Sequence, residues 1–323
     1  MPSADPGSVM KILIAEDDIT SCNVLSAILR KWGFDPVVTV DGNAAWAALQ
    51  RLAAPRLVIL DRNMPGMDGL EVCRRLREAE SSDPSYVILL TGRRERADIV
   101  QGLEAGANDY ISKPYDNEEL QARLRVGQRL LELQGRLQEA RDALAHQATH
   151  DSLTGMLNRP AILDRVKAEL SRMKRQGGTM SVGMCDLDHF KKINDTYGHQ
   201  TGDDMLIGFA KCIQSQLRDY DCIGRYGGEE FLVVAPGSPG QNCKSLYQRL
   251  CTAVAGTGMQ TQTGVISITF SIGVAAATGG CTVDGLLASA DAALYQAKAD
   301  GRNRVAYARV LESVDASGTI REG

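Results

Sequence analysis

At 323 residues the chain is long enough for two domains of ordinary size, and 44% hydrophobic with 24% charged residues is the composition of a protein with buried cores. A net charge of −4 offers no electrostatic footprint for duplex DNA, and no segment reads as a membrane span or a signal peptide, so neither DNA binding nor membrane insertion is expected. Eight cysteines without a CxxC pair, Cys22, Cys73, Cys185, Cys212 and Cys251 among apolar residues, read as reduced thiols of a cytoplasmic protein.

Residues 1–9 have no periodicity and read as a flexible leader. From Met10, short apolar runs alternate with helical stretches. KILIAEDD, a helix to Trp32, FDPVVTV and a helix near Asn43–Leu52 come first. RLVILD, a helix near Leu70–Glu78, YVILLTG, a helix near Arg94–Glu104, and DYISKP follow. Five such units predict an α/β domain over 10–117 with a flavodoxin-like, doubly wound parallel sheet and right-handed crossovers. Ligands of such sheets bind beyond the carboxyl ends of the strands. Polar residues gather there: Glu16, Asp17 and Asp18 after the first strand, Asp61 after the third, Thr91 after the fourth and Lys113 after the fifth. One acidic strand end is ordinarily a helix cap, but several acids around one lysine repel each other unless a cation joins them.

The motifs AEDD, DRNMPGMDG, LLTG and ISKP resemble those of response-regulator receiver domains over residues 10–125. The resemblance implies Asp61 as phosphoacceptor, with Mg²⁺ (or Mn²⁺) held by Asp17, Asp18, Asp61 and the Asn63 carbonyl. It implies Lys113 on the phosphoryl oxygens, Thr91 closing on them and Tyr110 turning inward on activation, with a cis Lys113–Pro114 bond. A cognate sensor histidine kinase is the implied partner.

Residues 118–149 form a proline-free, helix-favouring connector. Val126, Leu130, Leu133, Leu137, Ala140 and Leu144 recur at the spacing of a two-helix seam. The alternative is a helix packed on its own domain, but polarity away from the stripe favours a stalk that joins two copies. Gly127 and Gly135 weaken that helix by up to ~1 kcal/mol each.

The segment 150–310 opens with HDSLTGMLNR, a cap and turn before a helix, and MSVGMCDLDHF then reads as a strand that ends in Asp186 and Asp188. A helix pair leads to RDYDCIGRYGGEEFLVV. Here Cys222–Arg225 and Phe231–Val234 pair across Gly227-Gly228, a tight turn expected to use the positive φ that glycine tolerates. The hairpin brings Glu229 and Glu230 to its tip or first pair. They are either solvated surface residues or partners of the other acidic strand end in holding a divalent ion. A helix near Cys243–Val254, a strand VISITFSIGVAA and a helix from Val283 complete a ferredoxin-like, palm-type α/β plait, and residues 311–323 read as a polar tail.

Four blocks carry a resemblance to GGDEF-family diguanylate cyclases, here spelled GGEEF, over residues 148–308. They are HDSLTGMLNR, DLDHFKKINDTYGHQTGDD, RYGGEEF and ALYQAKADGRNRV. The family joins two GTP molecules into cyclic di-GMP and two pyrophosphates between two facing domains, so a homodimer or higher oligomer is implied. The resemblance implies Asp186, Glu229 and Glu230 as metal-binding and catalytic carboxylates, aided by a carbonyl near Leu187, with Glu230 either ligand or general base. Asn194 and Asp203 would read the guanine edge. Backbone N–H groups at His189 and Phe190 would meet phosphate, as would Lys298 and Arg302, four apart on one face of a helical run. Arg218 and Asp221 match the family's RxxD product-inhibition site, with Arg249 and Arg172 as further contacts. The alternative is a catalytically silent receptor for cyclic di-GMP, or a partner-binding output domain.

Overall fold

The computed structural model describes residues 9–79, 84–92, 96–237, 241–277 and 281–308. The predicted leader, apart from Val9, and the predicted tail lie outside the described residues. The chain folds as two units, Met1–Arg141 and Asp142–Gly323.

In the first unit, β1 (Met10–Ala15), β2 (Phe34–Thr39), β3 (Leu57–Asp61), β4 (Tyr86–Thr91) and β5 (Asp109–Ser112) form one sheet in the order β2-β1-β3-β4-β5, every pairing parallel. Helices α1 (Ile19–Lys31), α2 (Gly42–Leu49), α3 (Gly69–Ala79) and α4 (Arg96–Glu104) alternate with the strands. β3 and β4 are buried at every residue, the pattern of parallel strands covered on both faces.

Helix α5 (Asn117–Thr149) carries two apolar stripes. Leu120, Leu124 and Leu131 are buried with Tyr86, Ile88 and Ile111 of the sheet. The predicted seam lies roughly 130° further round the helix, and Val126, Leu130, Leu133, Leu137 and Leu144 on it are exposed. The helix therefore packs on its own domain with one face, and an apolar stripe on another face is left exposed. Gly127 is more than a weak helix former, because a Cβ there would sit 2.4 Å from the buried Tyr86 ring. Gly127→Ala should destabilise this unit by about 1–3 kcal/mol through overpacking. Gly135, which has nothing within 4 Å of an added Cβ, should gain up to ~1 kcal/mol as Ala. Thermal unfolding of both variants checks the contrast, and equal shifts would refute the packing role.

The second unit begins with α6 (Arg159–Gln176), which Asn158 caps through Ala161 N at 3.1 Å. Then come β6 (Met180–Leu187), α7 (Phe190–Tyr197), α8 (His199–Gln216), β7 (Cys222–Arg225), β8 (Glu230–Pro236) and α9 (Gln241–Ala255). A small hairpin, β9 (Met259–Thr261) with β10 (Gly264–Ile266), precedes β11 (Phe270–Ala277), α10 (Val283–Ala299) and β12 (Val305–Tyr307). The sheet order is β12-β11-β6-β8-β7. β11, β6, β8 and β7 pair antiparallel and follow a β-α-β-β-α-β succession, and β12 joins β11 in parallel to make the sheet mixed. VISITFSIGVAA is thus two strands, broken at 267–269.

Neither Gly227 nor Gly228 has a positive φ, contrary to expectation. A Cβ on Gly227 would lie 2.5 Å from Glu230 Oε2, the mobile end of that side chain, so a larger residue there would displace the Glu230 carboxylate.

Candidate functional sites

At the carboxyl end of the first sheet, Glu16, Asp17 and Asp61 bring carboxylate oxygens within 4.8 Å of one another. Lys113 Nζ reaches Asp61 Oδ2 at 2.6 Å and also contacts Glu16 Oε2. Burial pushes the Glu16 carboxyl up, helped by the Asp61 charge and opposed by Lys113. For Lys113, burial works against the ammonium, but its bonds to Asp61 and Glu16 prevail and raise it. Hard oxygen donors in excess over one ammonium fit a divalent cation.

Asp18 does not join them. Its carboxylate accepts from Thr20 N, Ser21 N and Ser21 Oγ and caps α1, because three residues past the end of β1 the chain is already turning into the helix. Glu16, buried at 3% exposure, stands where Asp18 was expected. Asn63 N donates to Asp61 Oδ1 at 3.1 Å, which orients the carboxylate. Thr91 is buried at the end of β4, its carbonyl accepting from Lys113 N, and Lys113–Pro114 is cis. Tyr110 is half-buried against the core.

In the second unit the register pairs Asp186 with Glu230 across β6 and β8, and Glu229 occupies the adjoining turn. Asp186 is buried and ion-paired to Lys298 of α10 at 2.8 Å. Burial raises the Glu229 carboxyl, and the Asp186 charge adds to the effect. Unlike the receiver acids, Asp186, Glu229 and Glu230 do not converge within 4.8 Å of one another, so a cation there would have to draw them together. The Leu187 N–H approaches the Glu229 carbonyl at 3.4 Å and ties the turn to the end of β6.

Asp188, read with Asp186 as a second free strand-end carboxylate, is instead occupied by bonds from Thr269, Ser271 and Asn303. His189 is in the left-handed region at φ 59, and no side chain of the cap residue accepts from the first N–H groups of α7. Such a φ in a non-glycine residue costs about 1–3 kcal/mol and is kept only where the surroundings enforce it. Phe190 is buried beneath. Asn194 rests on Gly202, the residue before Asp203, where an added Cβ would lie 1.9 Å from its Oδ1. Lys298 is in α10, but Arg302 lies beyond its end at φ 62, so the pair does not share a helical face. The glycine at 301 ends the helical run too early for that.

Arg218 N donates to Asp221 Oδ2 at 3.1 Å, and the Arg218 guanidinium bonds Tyr220 OH at 2.6 Å. Burial pushes the Asp221 carboxyl up, and its Oδ1 is buried without a partner. Arg249 donates to the Gln216 carbonyl, and Arg172 pairs with the buried Glu169 at 2.8 Å.

Arg225 had no role in the sequence reading. Its Nε and Nη2 hold the Gly228 carbonyl at 3.2 and 2.8 Å, while Nη1 lies 3.2 Å from both Asp151 oxygens. Burial would raise the Asp151 carboxyl, but bonds from Thr154 and Arg225 prevail and lower it. The opening motif thereby grips the acidic turn. Its only sequence signal was Arg225's place in RYGGEEF.

Residues 12–125 match the response regulator receiver domain family, and residues 148–304 match the GGDEF diguanylate cyclase domain family. The response regulator PleD of Caulobacter vibrioides is 33% identical over 298 residues, 91% of this chain and 65% of that protein, so the chain spans about two thirds of its relative's length. The diguanylate cyclase DgcP of Pseudomonas aeruginosa is 39% identical over 162 residues, covering 50% of this chain and 24% of DgcP. The crystal structure of the coiled coil and GGDEF domain of DgcB from Caulobacter crescentus, in complex with c-di-GMP, is 32% identical. It covers 58% of this chain and 99% of that one, with a TM-score of 0.53. Among the described residues no helix is long and apolar enough to cross a membrane.

Proposed function

Because the chain belongs to the response regulators that join a receiver domain to a GGDEF diguanylate cyclase domain, we propose that it condenses two GTP into cyclic di-GMP under control of phosphorylation at Asp61. The observation that carries this reading is the acidic strand end itself: Asp186 and Glu230 in register, Glu229 in the turn, and Lys298 on Asp186. Divalent Mg²⁺ or Mn²⁺, held by Asp186, Glu229, Glu230 and the Leu187 carbonyl, or by Glu16, Asp17, Asp61 and the Asn63 carbonyl, would supply Lewis acidity to nucleotidyl and phosphoryl transfer respectively.

The chain's own residues do the positioning. Asn194 and Asp203 receive the guanine edge, whose N1–H and N2–H₂ an aspartate can accept and which adenine lacks. The uncapped start of α7, at His189 and Phe190, offers N–H groups to phosphate, and Lys298 and Arg302 neutralise the triphosphate. Each 3′-oxygen bonds to the partner nucleotide's α-phosphorus as the bond to the bridging oxygen of pyrophosphate breaks. Glu230 is near enough to the turn to assist loss of the 3′-proton. One half-site per domain makes a dimer necessary, and the exposed stripe on α5 offers a surface for it. Lys113, Thr91 and Tyr110 form the receiver switch, and a histidine kinase is the phosphoryl source. The free thiols of Cys22, Cys185, Cys212, Cys222, Cys243 and Cys251 fit a cytoplasmic site of action.

Incubation of the full chain with GTP and Mg²⁺, with and without beryllofluoride, tests the proposal. Cyclic di-GMP should form and should increase on activation. An activated dimer that binds cyclic di-GMP without making it would instead be a receptor.

Two variants probe finer points. Glu16→Gln should weaken Mg²⁺ binding at the receiver, whereas Asp18→Ala should lower the melting temperature and leave acyl-phosphate labelling of Asp61 intact; the reverse pattern would restore Asp18 as ligand. Arg218, Asp221, Arg249 and Arg172 are the proposed inhibitory site, and the partnerless Asp221 Oδ1 suits a guanine N–H donor. Arg218→Ala should therefore raise final product yield, and an unchanged yield would remove the site.

A further inference from the structure

We propose that Asp188 is a positioning residue that ties together the two phosphate-facing loops of the nucleotide site; this rests on the cyclase reading above. Asp188 is 4% exposed, and each carboxylate oxygen is engaged. Oδ1 accepts from Ser271 Oγ at 2.8 Å, and Oδ2 accepts from Thr269 Oγ1 at 2.8 Å and from Asn303 N at 3.0 Å. Its own N–H donates to the Thr269 carbonyl at 2.9 Å. Among the described residues it has no ion pair. A buried carboxylate without a cation is costly unless its hydrogen bonds are good, so neutral residues would be the cheaper way to fill the space.

What the carboxylate holds explains its presence. On one side it immediately precedes His189, whose φ of 59 sets the start of α7. On the other it grasps the backbone N–H of Asn303, where Gly301, Arg302 and Asn303 run consecutively at φ 111, 62 and 48. Two of those three residues are not glycine, and such a segment persists only if external bonds enforce it. Arg302 N, bonded to the Ala297 carbonyl at 3.1 Å, fixes the loop's start, and Asp188 fixes its end. One side chain thus couples the uncapped N–H groups of α7 to the loop that carries Arg302, while Thr269 and Ser271 anchor it to β11. Its lone pairs point at donors, which separates its role from that of Asp186.

The test is equilibrium binding of a GTP analogue with a methylene between the α and β phosphorus atoms, compared with GMP, on the full chain. Asp188→Ala should weaken the analogue about tenfold or more while GMP binding stays unchanged, because only the triphosphate contacts are lost. Asp188→Asn should largely rescue it, since Nδ2 can donate to the Ser271 hydroxyl while Oδ1 still accepts from Asn303. Thr269→Val, at a half-buried position, should show a smaller loss in the same direction and carries the test if the alanine variant does not fold. Parent-like analogue binding in Thr269→Val and Asp188→Ala, or equal weakening of GMP and analogue, would overturn the assignment. Failure of the parent itself to bind the analogue would instead overturn the cyclase reading.

Discussion

Glu229→Gln should lower cyclic di-GMP formation by about 10²–10³-fold, in the range seen when one preorganised transition-state stabiliser is removed. The substitution keeps size and hydrogen-bonding capacity and deletes only the charge. Glu229 is half-buried in the turn between β7 and β8, close enough to Asp186 for that charge to push its carboxyl up. Carboxylates held this close in a partly dry site repel each other, and a divalent cation relieves the repulsion. Without the Glu229 charge the site has less reason to hold the cation, so the defect falls on turnover. The thermal unfolding midpoint should stay at the parent value, which separates lost chemistry from lost fold. Parent-like turnover in Glu229→Gln would mean that the acidic strand end is not the reaction centre.

Arg225→Lys should lower kcat by about 10²-fold with little change in KM, since misplacing a catalytic group by around 1 Å costs that much. Arg225 works in two directions at once: a fork on the Gly228 carbonyl and a contact to both Asp151 oxygens. Lysine keeps the charge but has one compact ammonium and cannot replace a planar fork. The turn next to Glu229 would lose its tether while the sheet register, set by β6 and β8, stays. A lysine variant with the parent's kcat would show that the turn holds itself. Arg225 also places an opening-motif residue against the acidic turn, so Asp151→Asn should show the same kinetic pattern more weakly.

Much is legible in the sequence because the physics involved is local or periodic. Apolar runs alternating with helical segments specify a parallel sheet with its polar strand ends together, and Asp61 and Lys113 do meet there. Two short β-runs around glycines specify the hairpin, whose pairing places Glu230 opposite Asp186. The 4-3 spacing in α5 specified an apolar stripe that is indeed exposed.

Other features depend on atoms brought together from far along the chain, and spacing says nothing about them. Whether Glu16 or Asp18 enters the acidic cluster turns on where β1 ends and α1 begins, a difference of a residue or two that side-chain pattern cannot resolve. Arg302 sits four after Lys298, but Gly301 ends the helical run first, and backbone geometry overrides spacing. The need for Gly127 comes from the Tyr86 ring, 41 residues earlier, and the tasks of Arg225 and Asp188 come from partners 74 and 115 residues away. By itself the sequence determined which elements form and which charges share a strand end, because hydrophobic periodicity and turn chemistry act over a few residues. Only the tertiary structure decided which carboxylates are left open to a ligand and which are consumed as braces, because that depends on which donors folding delivers to them.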